Sequence, residues 1–151
     1  MSVTLSLDSL QTNEPFVMEE VFPSDGDEKL RVIEDLLQRV ETRETLKEED
    51  KFRVRLCFDE LIENALKHGN QYDKTKNVMV GYWEDDRGWG VVVKDEGTGF
   101  KLNAVRDPLS DEGLMAENGR GIFILSQFMD SVEYFDGGRT ARIYKSWSKY
   151  R

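Results

Sequence analysis

The sequence predicts an α/β two-layer sandwich, in which helices cover one face of a mixed, mostly antiparallel sheet. Two observations favour this fold class. Segments with strand character come in pairs separated by short turns, as in hairpins, and two long segments with helical spacing of apolar residues precede them. Strands grouped as hairpins form antiparallel sheets, which bury one face under helices. A doubly wound parallel sheet is therefore disfavoured.

Composition and charge limit the functional classes. The chain has 151 residues, enough for one domain with its own core, and a net charge of −9, which argues against direct binding to nucleic acid. No stretch looks like a secretion signal or a membrane span, so we expect a cytoplasmic protein without membrane contact. The single cysteine, Cys57, excludes an internal disulfide and fits a reducing compartment.

The N-terminal third is predicted to contain a strand and a helix. Residues 1–13 form an N-terminal extension or an edge strand, and residues 14–151 form a single domain. A strand is predicted at 15–22, and the apolar spacing that follows predicts a helix at about 27–40. Three residues are available to cap that helix: Ser24, Asp25 and Asp27.

A second helix is predicted from about Glu49 to His68. Gly69 follows it, at the position where a left-handed residue commonly ends a helix. When residues are placed at 100° intervals, Glu60, Asn64 and His68 lie along one border of the apolar face. Surface helices often keep polar residues at such a border, but a carboxylate and an amide one turn apart are also able to hold a hydroxyl and a divalent cation.

The C-terminal half is predicted to contain two hairpins separated by a long irregular segment and a helix. The irregular segment, at about 100–118, is longer than typical loops, which is characteristic of lids and binding loops. A helix is predicted within 121–130. The strands of the two hairpins are predicted at 76–85 with 88–95, and at 131–136 with 140–147.

Asp95 ends the second strand of the first hairpin, on the face where every second residue from Trp89 onward is apolar. A buried carboxylate costs free energy unless it is hydrogen-bonded, so we expect a donor, for which a ligand is one source. Gly97 and Gly99 allow the backbone to turn sharply and to approach that ligand closely. Because Asp and Gly also form ordinary turns, a plain turn remains the alternative.

A Gly-x-Gly sequence at Gly119 and Gly121 opens the predicted third helix. Free backbone N–H groups and the helix dipole at such a position suit a phosphate group. Alone, this motif is weak, because no strand immediately precedes it as the dinucleotide-binding fingerprint requires. The order of all three motifs along the chain is more specific than any one of them.

With these three motifs the sequence resembles the GHKL, or Bergerat-fold, ATPase superfamily. Among its members the stand-alone anti-sigma-factor serine/threonine kinases are the most similar. ELIENALKHGN from Glu60, DEGTGF from Asp95 and GRG from Gly119 match the N, G1 and G2 boxes. The resemblance extends over about residues 21–145. It implies the Bergerat ATP-binding fold, with ATP and Mg²⁺ as cofactors.

The resemblance also implies a role for each matching residue. Glu60 is the catalytic general base that acts on the attacking hydroxyl, and Asn64 is a ligand of Mg²⁺. Asp95 accepts a hydrogen bond from the adenine amino group. The other implied nucleotide-binding residues are the glycines of two boxes and three side chains near the nucleotide: Gly97, Gly99, Gly119, Gly121, His68, Arg120 and Thr140.

As a function, the resemblance implies an anti-sigma regulatory factor. Such a protein binds a sigma factor, phosphorylates Ser or Thr of a STAS-type anti-anti-sigma partner, and forms a homodimer. One alternative is an ATP-gated protein-binding module without significant kinase turnover, and another is a regulator in a pathway unrelated to sigma factors. An enzyme with a metal held by Glu60, Asn64 and His68 is disfavoured, because Asn is a poor transition-metal ligand.

Overall fold

The computed structural model describes residues 2–5, 16–97 and 124–147. Part of the predicted site lies outside these ranges, and so do the lid at about 100–118 and the proposed domain boundary at residue 13. The predicted site residues outside the ranges are Gly99, Gly119, Arg120 and Gly121. The described elements are β1 (Ser2–Leu5), β2 (Met18–Pro23), α1 (Gly26–Arg43), α2 (Glu48–Glu63), a π-helix (Asn64–Gly69), β3 (Asn77–Glu84), β4 (Gly88–Lys94), helical residues 124–128, β5 (Ser131–Phe135) and β6 (Thr140–Ser146).

The strands form one sheet in the order β1-β5-β6-β4-β3-β2. β1 runs parallel to β5, and the other neighbouring pairs of this sheet are antiparallel. The sheet is therefore mixed and mostly antiparallel, which confirms the predicted fold class. Asp85 holds the turn between β3 and β4, since its Oδ1 accepts hydrogen bonds from the backbone N–H groups of Arg87 and Gly88.

The helices pack on one face of this sheet, as predicted. The ring of Phe58 in α2 meets the ring of Trp89 in β4 edge to face, with centroids 5.4 Å apart. This contact places the middle of α2 directly over β4, the strand that leads to Asp95. The helix side chains buried in the same core are Val32, Ile33, Leu36, Leu37, Val40, Val54, Cys57, Leu61 and Ile62.

The first helix begins one residue earlier than predicted, and Asp25 is its cap. The carboxylate of Asp25 accepts a hydrogen bond from the backbone N–H of Asp27 at 2.9 Å. Ser24, a second predicted cap, is instead buried, and its hydroxyl donates to the carbonyl of Lys76 at 2.7 Å. Ser24 therefore joins the start of α1 to the chain that enters β3.

The second helix differs from the prediction at its C-terminal end. Regular α-helical geometry stops at Glu63, and Asn64–Gly69 form a π-helix. The backbone N–H of Asn70 closes it by donating to the carbonyl of Ala65, five residues back, at 2.8 Å. A π-helix holds more residues per turn than an α-helix and is frequent at functional sites. The 100° spacing that aligned His68 with Asn64 therefore does not apply to this segment.

The expectation that Gly69 adopts a left-handed conformation is wrong. Gly69 is the last residue of the π-helix, and the positive φ angles occur later, at Gln71 (52°) and Tyr72 (54°). The longer π-helical turn moves the reversal of the chain beyond the glycine. A positive φ angle is therefore not the reason for a glycine at position 69. In the described parts of the chain, neither α1 nor α2 combines the length and apolar character that crossing a membrane would require.

Candidate nucleotide-binding site

The end of the π-helix lies directly against the carboxylate of Asp95. Asp95 follows β4 and is only 6% exposed. A Cβ atom on Gly69 would lie 2.3 Å from Cγ and 2.3 Å from Oδ2 of Asp95, much closer than a real Cβ contact. Glycine is therefore required at position 69 by the close approach of this carboxylate. The contact brings the N-box segment and the G1-box segment together.

Gly97 completes this contact from the other side. A Cβ atom on Gly97 would lie 1.9 Å from the carbonyl oxygen of Gly69, and the backbone N–H of Gly97 donates to Oδ1 of Asp95 at 2.8 Å. Gly97 thus makes a close backbone contact with Gly69, and its expected approach to a ligand stays a prediction. The chain turns back around the carboxylate and exposes little of it to water.

The surroundings of Asp95 change its proton affinity. Burial raises the pKa of Asp95 to about 6, although the hydrogen bond from Gly97 N–H and the charges of Arg139 and Lys76 partly oppose this increase. At neutral pH the carboxylate is mostly ionised. It is therefore a buried acceptor of the kind that a ligand N–H group satisfies.

Asn64 opens the π-helix, at the end opposite Gly69. Its Nδ2 atom is buried and has no hydrogen-bond partner within the described part of the chain. Leaving a buried donor without a partner costs about 1–3 kcal/mol. Within the described residues, the buried amide of Asn64 thus lacks a hydrogen-bond acceptor for its Nδ2.

Glu60 lies in the last turn of α2 and is half-buried. Its pKa is raised, mainly by burial and further by the negative charges of Asp59 and Glu63, while the positive charge of Lys29 opposes the shift. Lys29 Nζ lies 3.0 Å from an oxygen of Asp59 and 3.0 Å from an oxygen of Glu63. Lys29 thus pairs with these two neighbours, whereas the raised pKa of Glu60 makes its carboxylate a better proton acceptor.

Glu63 itself is held in the ionised state. Burial alone would raise the pKa of Glu63, but hydrogen bonds from the hydroxyl of Tyr72 and the ammonium of Lys29 outweigh burial and lower it. A fixed negative charge therefore stands one turn from Glu60. Two adjacent carboxylates with pKa values shifted in opposite directions are a common feature of acid–base sites.

His68 and Thr140 are less closely tied to this cluster. His68 is half-buried within the π-helix. The hydroxyl of Thr140 donates to the carboxylate of Asp136 at 2.8 Å, and in the sheet register Thr140 pairs with exposed Lys94. Ala141, not Thr140, lies on the core face of β6 that Asp95 continues on β4. The adenine-binding role of Thr140 stays a prediction.

Asn70 is a buried residue at this site that the sequence did not reveal. Its side chain is 1% exposed and accepts a hydrogen bond from the backbone N–H of Glu96, the residue after Asp95. An Asn next to a Gly is typical of a solvent-exposed turn, so local sequence carries no signal for burial. The described residues contain no cluster of three or more His, Cys, Asp or Glu side chains that could hold a metal ion.

Comparison with known proteins identifies the family to which this chain belongs. The profile of the family described as histidine kinase-like ATPase domain matches residues 22–145, a range that includes the N-box, G1-box and G2-box motifs. The chain therefore belongs to the histidine kinase-like ATPase family, and the resemblance seen in the sequence is confirmed at that level.

Among curated proteins, the chain is similar to three named Anti-sigma F factor, from strains of Clostridium perfringens. Each is 29% identical to it over 86 residues, which cover 54% of this chain and 60% of the relative. The chain thus spans less than two thirds of the length of the curated relatives it matches.

Proposed function

We propose that this protein binds ATP with Mg²⁺ and acts as an anti-sigma regulatory factor that phosphorylates Ser or Thr of an anti-anti-sigma partner. The observation that carries the proposal is the buried carboxylate of Asp95, enclosed by Gly69 and Gly97. A buried, ionised carboxylate is a strong hydrogen-bond acceptor for an amino group of a ligand. Adenine presents such a group.

The residues of the π-helix fit the phosphate end of the same ligand. Asn64 supplies an amide whose Nδ2 is buried without a partner in the described residues, and its oxygen is a suitable ligand for Mg²⁺. When bound, Mg²⁺ neutralises charge on the phosphates of ATP. Asn64 would hold the ion, and His68 and Arg120 would lie near the phosphates.

Glu60 is the proposed general base. Its half-buried position and raised pKa suit a carboxylate that takes the proton of an acceptor hydroxyl. Glu63 and Asp59 are held by Lys29 in ion pairs and are less available for that role. Loss of the Glu60 carboxylate would therefore affect transfer rather than nucleotide binding.

The partners are proposed from the similarity to proteins named Anti-sigma F factor. Together with the resemblance of the three motifs, that similarity supports the proposal that this chain binds a sigma factor and exchanges it for an anti-anti-sigma protein of the STAS type, in the cytoplasm and as a homodimer. The net charge of −9 agrees with control of transcription through proteins rather than through DNA.

The experiment that tests this function is phosphate transfer from γ-labelled ATP to a purified candidate anti-anti-sigma protein. Wild type should label the partner in the presence of Mg²⁺. Glu60→Gln should reduce the rate by about 10²–10⁴-fold and leave the affinity for ADP unchanged. If no partner is labelled at any Mg²⁺ concentration although ATP binds, the protein is an ATP-gated binding module and the kinase proposal is wrong.

A further inference from the structure

The strongest feature that the proposed function leaves unexplained is the side chain of Asn70, the last residue of the N-box match. It follows the π-helix immediately and is 1% exposed, although Asn is usually a surface residue. Its backbone N–H closes the π-helix at Ala65, so its position is fixed relative to Asn64 and Gly69. A buried amide needs hydrogen bonds to both ends, and Asn70 has them.

The side chain of Asn70 connects three separate segments. Nδ2 donates to Oγ of Ser24 at 3.0 Å and to the carbonyl of Asn77 at 3.0 Å. Oδ1 accepts from the backbone N–H of Glu96 at 2.8 Å. Both amide hydrogens and the amide oxygen are therefore used. The side chain joins the start of α1, the start of β3 and the loop after β4.

The bond to Glu96 is the one that concerns the nucleotide site. It holds the peptide group that directly follows Asp95, while the N–H of Asp95 itself donates to the carbonyl of Arg139 at 2.9 Å. Glu96 is held again through its side chain, which accepts from the backbone N–H of Asn77 at 2.8 Å. The Asp95 loop is thus attached to the end of the π-helix through one side chain.

We propose that Asn70 is a positioning residue that gives the Asp95 carboxylate its preference for an adenine base. It fixes the Asp95–Glu96 peptide while the backbone of Gly69 packs on the carboxylate, so the carboxylate faces the ligand at one angle and depth. This inference rests on the proposed function, in which Asp95 accepts a hydrogen bond from the adenine amino group.

The diagnostic quantity is the ratio of affinities for ADP and IDP. Hypoxanthine has an oxygen where adenine has the amino group, so an ionised carboxylate accepts from one base and repels the other. A hydrogen bond to a charged group corresponds to a wild-type preference for ADP of roughly 10-fold to 100-fold. A residue that only supports the fold would lower both affinities or the melting temperature and leave this ratio unchanged.

The test compares Asn70→Ala with the matched control Ser24→Ala. The control removes one partner of the Asn70 amide and the partly buried hydrogen bond from Ser24 to the carbonyl of Lys76, but leaves the link to Glu96 in place. Asn70→Ala should lower the ADP/IDP ratio at least about fivefold, whereas Ser24→Ala should keep it within about twofold of wild type. In an Asp95→Ala background, Asn70→Ala should have no further effect on the ratio.

The proposal is overturned if Asn70→Ala is less stable but keeps the wild-type ratio. Amide hydrogen exchange on the unmodified protein gives a second test that does not depend on folding of a variant. The Glu96 amide should exchange as slowly as amides of β4, and exchange as fast as in exposed turns would also overturn the proposal. If wild type binds neither ADP nor IDP, the proposed nucleotide function fails first, which is a distinct result from an unchanged ratio.

Discussion

Gly69 and Asp95 are in contact so close that no side chain fits between them: a Cβ on Gly69 would lie 2.3 Å from the carboxylate of Asp95. The two residues are far apart in the sequence and come from different elements, the π-helix and the loop after β4. Their contact joins the segment that carries the proposed metal ligand to the segment that carries the proposed base-recognition carboxylate.

The first prediction concerns Gly69→Ala. The added methyl group should displace the Asp95 carboxylate or the end of the π-helix, because it would lie 2.3 Å from Cγ and from Oδ2 of the Asp95 side chain. We expect ADP affinity to fall at least tenfold and stability to fall by about 1–3 kcal/mol, a usual cost of overpacking. Calorimetric titration with ADP and thermal melting measure the two effects.

Gly26→Ala is the matched control. Nothing lies within 4 Å of a Cβ added at Gly26, the first residue of α1. Ala is favoured over Gly in helices by up to about 1 kcal/mol, so this variant should be as stable as wild type or slightly more stable. If Gly69→Ala behaved like Gly26→Ala in both measurements, the close contact would not matter for the site.

The second prediction is that Asp95→Asn weakens nucleotide binding and stabilises the ligand-free protein. Loss of an ionised acceptor should weaken ATP binding by roughly 10-fold to 100-fold. The same change removes a buried charge, which at pH 7 costs on the order of 2–3 kcal/mol for a pKa raised to about 6. Melting curves without ligand should therefore move to higher temperature. A variant that is less stable at pH 7 would contradict this explanation.

A third prediction concerns pH. The pKa of Asp95 in the folded protein, about 6, is above the ordinary value of 3.8, so protonation favours the fold. Its contribution to stability is complete below about pH 3.8 and is lost as pH rises through about 6. ADP binding has the opposite dependence, since it needs the ionised form, and affinity should fall below about pH 6.

Protonation of the nucleotide phosphates also changes affinity in this pH range, and Asp95→Asn provides the correction. The ratio of wild-type to Asp95→Asn affinity, measured by titration with ADP between pH 5 and 8, isolates the contribution of the carboxylate. We expect this ratio to decrease toward one as pH falls below about 6. A ratio that is constant over the whole range would mean that Asp95 does not bind the ligand in its ionised form.

The fourth prediction is that Glu63→Gln shifts the acidic limb of the pH–rate profile for phosphate transfer to lower pH. The charge of Glu63 raises the pKa of Glu60, and Glu63→Gln removes it. The substitution also frees Lys29 from its bond to Glu63, so the positive charge opposes protonation of Glu60 more strongly. Both changes act in the same direction. The shift in the acidic limb is measured from the pH dependence of kcat/KM for phosphate transfer to the partner protein.

Glu49→Gln is the control variant, because it also removes one negative charge, from the exposed first turn of α2. It should leave the acidic limb of the pH–rate profile unchanged. A limb that moves to higher pH in Glu63→Gln, or that moves equally in both variants, would exclude Glu60 as the group responsible.

The fold was largely predictable from local sequence. Asp25 at the start of α1 and the turn residues between β3 and β4 have side chains that act on their own neighbours, so their effect is visible in a short stretch. The pairing of β1 with β5 joins opposite ends of the chain. No pattern within Ser2–Leu5 identifies the strand with which it pairs. From the sequence, an edge strand and a loose extension therefore remained as two alternatives for this segment.

The site was predictable in its residue types but not in its geometry. Glu60, Asn64 and Asp95 were assigned to the candidate site through motif order, and their roles stay predictions. The π-helix was not predicted, because six residues with two buried apolar side chains, Ala65 and Leu66, fit α and π spacing equally well. Gly69 and Asn70 acquire their roles only when Asp95 and Glu96 fold against them.

The most direct test of the central claim is thermal unfolding of the wild-type protein with ATP and Mg²⁺. Ligand at a hundred times its dissociation constant should stabilise the protein by ~2.7 kcal/mol, and the shift should be much smaller for Asp95→Asn at the same concentrations. ATP should give a larger shift than ITP. Absence of any shift with millimolar ATP and Mg²⁺ would contradict the assignment of this site to nucleotide binding.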